Sequence, residues 1–139
     1  MTQLRAEGTF TVTSFDPVPV TTPLEVSTNM AVGVATLTKD FAGGVQGHSS
    51  TLFTGARQEE TGAGTYVALE SFEGSLEGVA GAFNFIHVAS THGTDRYGDA
   101  FSIVDASGTG ALAAISGGGG LTVDDDGTHR IWFDYTLDG

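Results

Sequence analysis

Residues 70–87, ESFEGSLEGVAGAFNFIH, decide how this chain is read. Glu77-Gly78 is a two-residue hairpin turn flanked by alternating residues. A turn there sets Leu76 opposite Val79, and every further pair then has numbers summing to 155. Phe72 faces Phe83, Glu70 faces Phe85 and Ala68 faces His87. Side chains alternate along a strand, so Ala68, Glu70, Phe72, Phe83, Phe85 and His87 share one face. That face holds the aromatic bulk and is assigned to the interior. Leu69, Ser71, Glu73, Asn84, Ile86 and Val88 take the other face. Glu70 and His87 become diagonal neighbours, roughly 7–8 Å apart at the backbone and within side-chain reach.

Outward from this hairpin the chain has the same grain. Its 21 glycines fall at intervals between runs of Val, Thr, Phe and Ile, the punctuation of strands and turns. No window of a dozen residues shows a helical apolar period. The expected strands are about 8–15, 30–41, 45–57, 65–76, 79–90, 96–105, 121–123 and 129–137. DPVPVTTP (16–23) is expected to be an extended, strand-poor link because of its three prolines. One helical turn is expected near 112–115. The glycine runs SGTG and GGGG are assigned to bulges and tight turns. In the second hairpin a Gly43-Gly44 turn would set Lys39 opposite His48, a like-charged pair suited to an exposed surface.

Eight mostly adjacent strands with short links suit an antiparallel meander, as a sandwich or a barrel. The barrel is preferred because closure removes exposed edges. The expected fold is therefore all-β: a single domain over residues 1–139 forming one antiparallel eight-stranded β-barrel.

Composition excludes several functions. Five Lys and Arg against seventeen Asp and Glu give a net charge of −12, which repels nucleic-acid phosphates and anionic lipid headgroups. No nucleic-acid or membrane partner is expected. Without cysteine there is no disulfide, thiolate chemistry or cysteine-bound metal. His48, His92 and His129 are scattered and show no ligand spacing, so no metal and no cofactor is expected. The glycine runs lack the Lys-Ser/Thr of a phosphate loop, and DDDG (124–127) is too short for a calcium loop. No GxSxG elbow is present. MTQLRAEGTF has no apolar leader run and no stretch reaches transmembrane length, so a cytoplasmic location is expected. A mature chain already cut from its leader would look the same.

Several motifs, in order, resemble a bacterial family catalogued only as domain of unknown function 3224. They are GTFTVTSFDPVP (8–19), TKDFAGGVQG (38–47), LESFEGSLEGVAGAF (69–83), His87, SGTGAL (107–112) and FDYTL (133–137). The chain departs from the family pattern at Ile86 and over 88–92. The resemblance implies an eight-stranded barrel similar to that of allene oxide cyclase, a plant enzyme that closes an unsaturated fatty-acid epoxide into a ring. It implies no activity, since the family has no established common function.

Chemistry is expected at Glu70 and His87. Burial raises a carboxyl pKa and a neighbouring imidazolium lowers it, so such a pair can move a proton near neutrality. A self-satisfied buried polar pair is the structural alternative. Tyr66, Ala68, Phe72, Phe83, Phe85, Phe101, Phe133 and Tyr135 are expected to line the substrate pocket. Tyr135 would offer its hydroxyl to a ligand or to Glu70, and Tyr97 would join Phe101 at the mouth. The expected partner is a small hydrophobic, unsaturated molecule, acted on by a cofactor-free isomerase or cyclase of lipid- or polyketide-like compounds. Non-catalytic binding is the alternative. Leu69, Ile86 and Val88 on the outer face raise a third option, assembly, for which a homo-oligomer is the natural partner.

Overall fold

A computed structural model describes residues 2–138. Eight antiparallel strands run in chain order around a closed barrel: β1 Leu4–Val18, β2 Val32–Gly43, β3 Val45–Arg57, β4 Gly64–Leu76, β5 Val79–Thr91, β6 Tyr97–Ile103, β7 Ser116–Val123 and β8 His129–Thr136. β8 returns to pair with β1, Leu4 opposite Tyr135, so the sheet closes. Among the described residues no helix is long and apolar enough to cross a membrane.

The β4–β5 register is the one the turn dictates, with Phe72 opposite Phe83, Glu70 opposite Phe85 and Ala68 opposite His87. Glu77 and Gly78 both take positive φ, 48° and 82°, as a tight hairpin turn requires. Ala68, Glu70, Phe72, Phe83, Phe85 and His87 are all buried, and Leu69 on the other face is exposed.

The β2–β3 register differs from expectation by one residue. β2 runs through Gly43, Gly44 alone forms the tip, and Lys39 faces Ser49, not His48. Gly44 donates to the Glu7 carbonyl and accepts from the Glu77 amide, which ties the tip to its neighbours. The shift reverses the fate of Lys39. It is 5% exposed inside the barrel, while His48 sits on the surface beside Glu73.

Three other boundaries moved for physical reasons. β1 continues through Asp16, Pro17 and Val18, which were expected in the link. Its pairing to β8 ends at Phe10, so the N–H that Pro17 lacks is missing from an unpaired side. β7 begins at Ser116, so the glycine run is strand rather than turn. A Cβ on Gly120 would collide with the Trp132 ring, and one on Gly119 with the Trp132 carbonyl and, at 2.9 Å, the Phe101 ring. The glycines let β7 lie against these side chains. The helical turn is a 3-10 turn at Gly110–Leu112, two residues earlier than expected.

Seven of the nine phenylalanines fill one end of the barrel. Phe10, Phe41, Phe72, Phe83, Phe85, Phe101 and Phe133 interlock with ring centroids 5.1–6.4 Å apart. Leu112 and Ile115, 0% and 2% exposed, plug that end from the β6–β7 connection. Each buried Phe contributes roughly 1.5–3 kcal/mol by leaving water. The remaining two, Phe15 and Phe53, belong to the opposite, open end. A bulge in β1 between Val12 and Ser14 makes that division possible, because one extra residue flips the alternation. Phe10 points into the packed end and Phe15 into the open one.

Gly119→Ala is expected to lower the unfolding free energy by about 1–3 kcal/mol through overpacking against Trp132 and Phe101. Gly33→Ala, where a Cβ meets nothing within 4 Å, should stay within about 0.5 kcal/mol of the parent. Urea denaturation of the two variants measures both.

Candidate functional site

The open end holds a cavity of about 970 Å3. Its apolar wall includes Phe15, Pro17, Ala35, Phe53 and Ala89, and Tyr66, Arg96, Arg57, Glu59 and Asp95 supply polar and charged groups. Tyr66 stacks on Phe53 at 5.3 Å, an offset contact that holds the phenol ring against the wall.

Beneath it lies a buried polar network drawn from four strands. β4 brings Glu70 inward, β2 Lys39, β3 Ser49 and β5 His87. Glu70 Oε1 accepts from Lys39 Nζ at 2.9 Å and from His87 Nε2 at 2.9 Å. Its Oε2 accepts from Ser49 Oγ at 2.6 Å. The carboxylate is fully buried, and it is tolerated there because these donors replace water. The His87 ring stacks near-parallel with Phe85 and Phe101, which fixes its plane. Lys39 Nζ also lies 4.7 Å from the Phe10 ring centroid, a cation–π contact.

The network reaches the cavity through one side chain. The Tyr66 hydroxyl lies 2.8 Å from His87 Nδ1. Arg96 Nη2 donates to the same hydroxyl at 2.9 Å, and Arg96 Nε donates to Asp99 Oδ2 at 2.7 Å. Among these groups only Tyr66 and Arg96 line the cavity.

The protonation states follow from the surroundings. Burial pushes the Glu70 carboxyl up, but the His87 hydrogen bond, the Lys39 charge and the Ser49 hydroxyl outweigh it and hold it below its ordinary 4.5. Burial holds His87 below 6.5; the Glu70 bond opposes this and the Lys39 and Arg96 charges reinforce it. Burial raises the Tyr66 phenol by more than Arg96 lowers it. At neutral pH the site is thus a carboxylate, a neutral imidazole and a neutral phenol.

The sequence brought Glu70, His87 and Tyr66 to one face, and the structure places them in one hydrogen-bonded line. The other expected lining residues lie elsewhere. Ala68 is buried and absent from the cavity wall. Phe72, Phe83, Phe85 and Phe133 are packed core, and Phe101 stacks on Phe85. Tyr135 sits at the plugged end opposite Leu4 and Gly117, away from Glu70; burial and then the Glu77 charge raise its phenol pKa. Tyr97 is half-exposed and stacks on His92.

Lys39, Ser49 and Arg96 were not foreseen. A signal for the first two was present. Leu37 and Phe41 in β2, and Val45 and Phe53 in β3, put the inward face on odd numbers in both strands. Partners share a face, so their numbers must sum to an even value, which excludes a Lys39–His48 pair. Arg96 comes from the turn before β6, where no periodicity announces orientation.

Thr51 pairs with Glu70 across β3–β4 and is buried. Among the described residues its hydroxyl is the one buried side-chain polar atom without a hydrogen-bond partner. No group of three or more His, Asp or Glu that could hold a metal occurs among the described residues.

The fold and site define a small closed β-barrel, aromatic-filled at one end and open at the other onto a ligand-sized cavity. The chain belongs to the DUF3224 family, whose model, described as "Protein of unknown function (DUF3224)", matches residues 6–135. A crystal structure of a protein of unknown function from the DUF3224 family of Shewanella oneidensis is similar at 24% identity and a TM-score of 0.82. The match covers 99% of this chain and 100% of that one. At that identity the likeness shows a shared fold. No curated protein matches the chain significantly.

Two outcomes follow from these environments. Both Glu70 and His87 have folded-state pKa values below their unfolded ones, so the unfolded chain binds more protons. Stability is therefore expected to fall as pH falls, through His87 from about 6.5 downward and through Glu70 from about 4.5 downward. Denaturation midpoints across that range measure it, and Glu70→Gln should shrink the lower limb to the part that the lowered Asp95 and Asp126 carboxyls carry. Thr51→Val deletes an unpaired hydroxyl at nearly constant shape and should raise the unfolding free energy by about 1–3 kcal/mol.

Proposed function

We propose that the barrel binds a small hydrophobic, unsaturated molecule in its open end and converts it without a cofactor, as an isomerase or cyclase of lipid- or polyketide-like compounds. One observation carries this reading: a mostly apolar cavity touches, through Tyr66, a buried ionised carboxylate and a neutral imidazole. Ligand sites typically have volumes of about 300–1,000 Å3, apolar walls and a few convergent polar groups, and this cavity has all three features. Buried titratable groups beside a cavity are where acid–base chemistry is tuned. Binding in the cavity would hold a reactive conformer in a dry site. The likeness to allene oxide cyclase belongs to this proposal, as does a cytoplasmic setting, which suits a chain free of cysteine.

A second reading, a carrier that releases its ligand unchanged, is favoured by the sealing of Glu70. Every oxygen of that carboxylate already has a donor, and none faces the cavity.

Native mass spectrometry of the purified protein should reveal a co-purifying apolar ligand. Incubation should convert it to an isomer of unchanged mass and different chromatographic retention. Gly33→Trp, at an open point of the wall, should abolish retention without unfolding the protein. Glu70→Gln and His87→Ala should each retain ligand and lose conversion by about 10²-fold or more. Full conversion in both variants would sink the catalytic reading, and tight retention with no conversion would establish the carrier.

A further inference from the structure

The hydrogen-bonded line from the cavity to Glu70 has a polarity that its chemistry dictates. Arg96 has donors and no acceptor, so the Tyr66 oxygen accepts from it. Glu70 is ionised and can only accept, so His87 donates from Nε2. The neutral imidazole then carries a bare lone pair on Nδ1, and the Tyr66 O–H points at it across 2.8 Å. Every proton between the cavity and Glu70 points inward. A line oriented this way begins by taking a proton up; it holds none aimed at the cavity to give away.

We propose that Tyr66 is a catalytic residue that removes a proton from a carbon acid bound in the cavity, a molecule whose C–H is acidified by a neighbouring carbonyl, and returns it two carbons away in a 1,3-proton shift. This rests on the isomerase reading above and adds to it the group that touches substrate and the chemical class of that substrate. The substrate C–H bond breaks and its proton bonds to the Tyr66 oxygen, while the proton already on Tyr66 passes to His87 Nδ1. The electron pair stays on the substrate as a conjugated enolate, and Glu70 holds the new imidazolium. In the second half the Nδ1 proton returns to Tyr66 as Tyr66 protonates the distal carbon. No electron or proton is gained or lost overall, so no co-reactant is needed.

Two features narrow the substrate. Arg96 lines the cavity beside Tyr66, and its Nη1 has no hydrogen-bond partner among the described residues. It is placed to hold the carbonyl oxygen on which enolate charge develops. The final proton acceptor is an imidazole weakened by burial and by Lys39 and Arg96. A weak base selects a C–H that both a carbonyl and an alkene activate, as in a β,γ-unsaturated ketone. Glu70 is here a positioning residue that acts through His87, and the groups facing His87 are Glu70, Lys39, Tyr66 and Arg96, with Asp99 behind Arg96.

The test uses a panel of β,γ-unsaturated ketones, from cyclohex-3-enone upward in chain length, in deuterated buffer. Mass spectrometry reads deuterium at carbon, ultraviolet absorbance reads the conjugated enone, and calorimetry reads binding. The wild-type chain should accelerate both exchange and conjugation. Tyr66→Phe should lose about 10²-fold or more of that acceleration with binding retained. Arg96→Lys, kept as a second variant should Tyr66→Phe misfold, should lose rate by raising kcat barriers more than KM. Glu70→Gln should move the acid limb of the pH–rate profile, which a merely structural role would leave in place. Exchange by Tyr66→Phe at the wild-type rate would overturn the assignment. Wild-type binding of the ketones with no deuterium incorporation would overturn the proton shift and leave the cavity as a binding site. No saturable binding of any ketone would overturn both.

Discussion

The ionised Glu70 carboxylate at the centre of the barrel constrains everything around it. A buried charge without partners costs several kcal/mol, so its donors must arrive with correct geometry. They come from three different strands: Lys39 from β2, Ser49 from β3 and His87 from β5. Each seam from β2 to β5 must therefore hold its register. A one-residue slip in any of them would turn a donor to the outside and leave the buried carboxylate short of a partner. The network thus specifies one pairing of the sheet, apart from any part it plays in chemistry.

Around that centre the barrel divides into a packed half and an open half. The division depends on small irregularities more than on composition. The bulge between Val12 and Ser14 lets one strand send Phe10 into the core and Phe15 to the cavity wall. The glycines of β7 give up side chains so that Trp132 and Phe101 can lie against the strand. The 3-10 turn carries Leu112 into the plugged end. Phenylalanine is the building material in both halves, and the same residue type is packed filler in one and cavity wall in the other.

Tyr66 is where the two halves communicate. It touches both the cavity and the buried network, stacked on Phe53 on one side and bonded to His87 on the other. Glu70 sets the tautomer of His87, His87 orients the Tyr66 hydroxyl, and Arg96 pins its oxygen. The pair that stood out in the sequence, Glu70 and His87, thus reaches the cavity through Tyr66.

The eight-stranded all-β plan, the 76–79 turn and the inward face of its hairpin were legible in the chain, because alternation and turn chemistry are local. The pairing of Glu70 with His87 followed from the same turn by arithmetic. Lys39 was misplaced by a single residue of register, and the parity of Leu37, Phe41, Val45 and Phe53 held the correction. What no local pattern contained was the depth of each inward residue along the barrel axis. Alternation tells inside from outside, and it does not tell the packed end from the open end. That is why Phe72, Phe83, Phe85 and Phe133 read as pocket lining and turned out to be core, while Phe15, Phe53 and Arg96 went unnoticed. Alternation along each strand settles which faces are buried; closure of the barrel, the β1 bulge and the plug at Leu112 set where the interior is left empty, since a cavity is a property of how all eight strands meet.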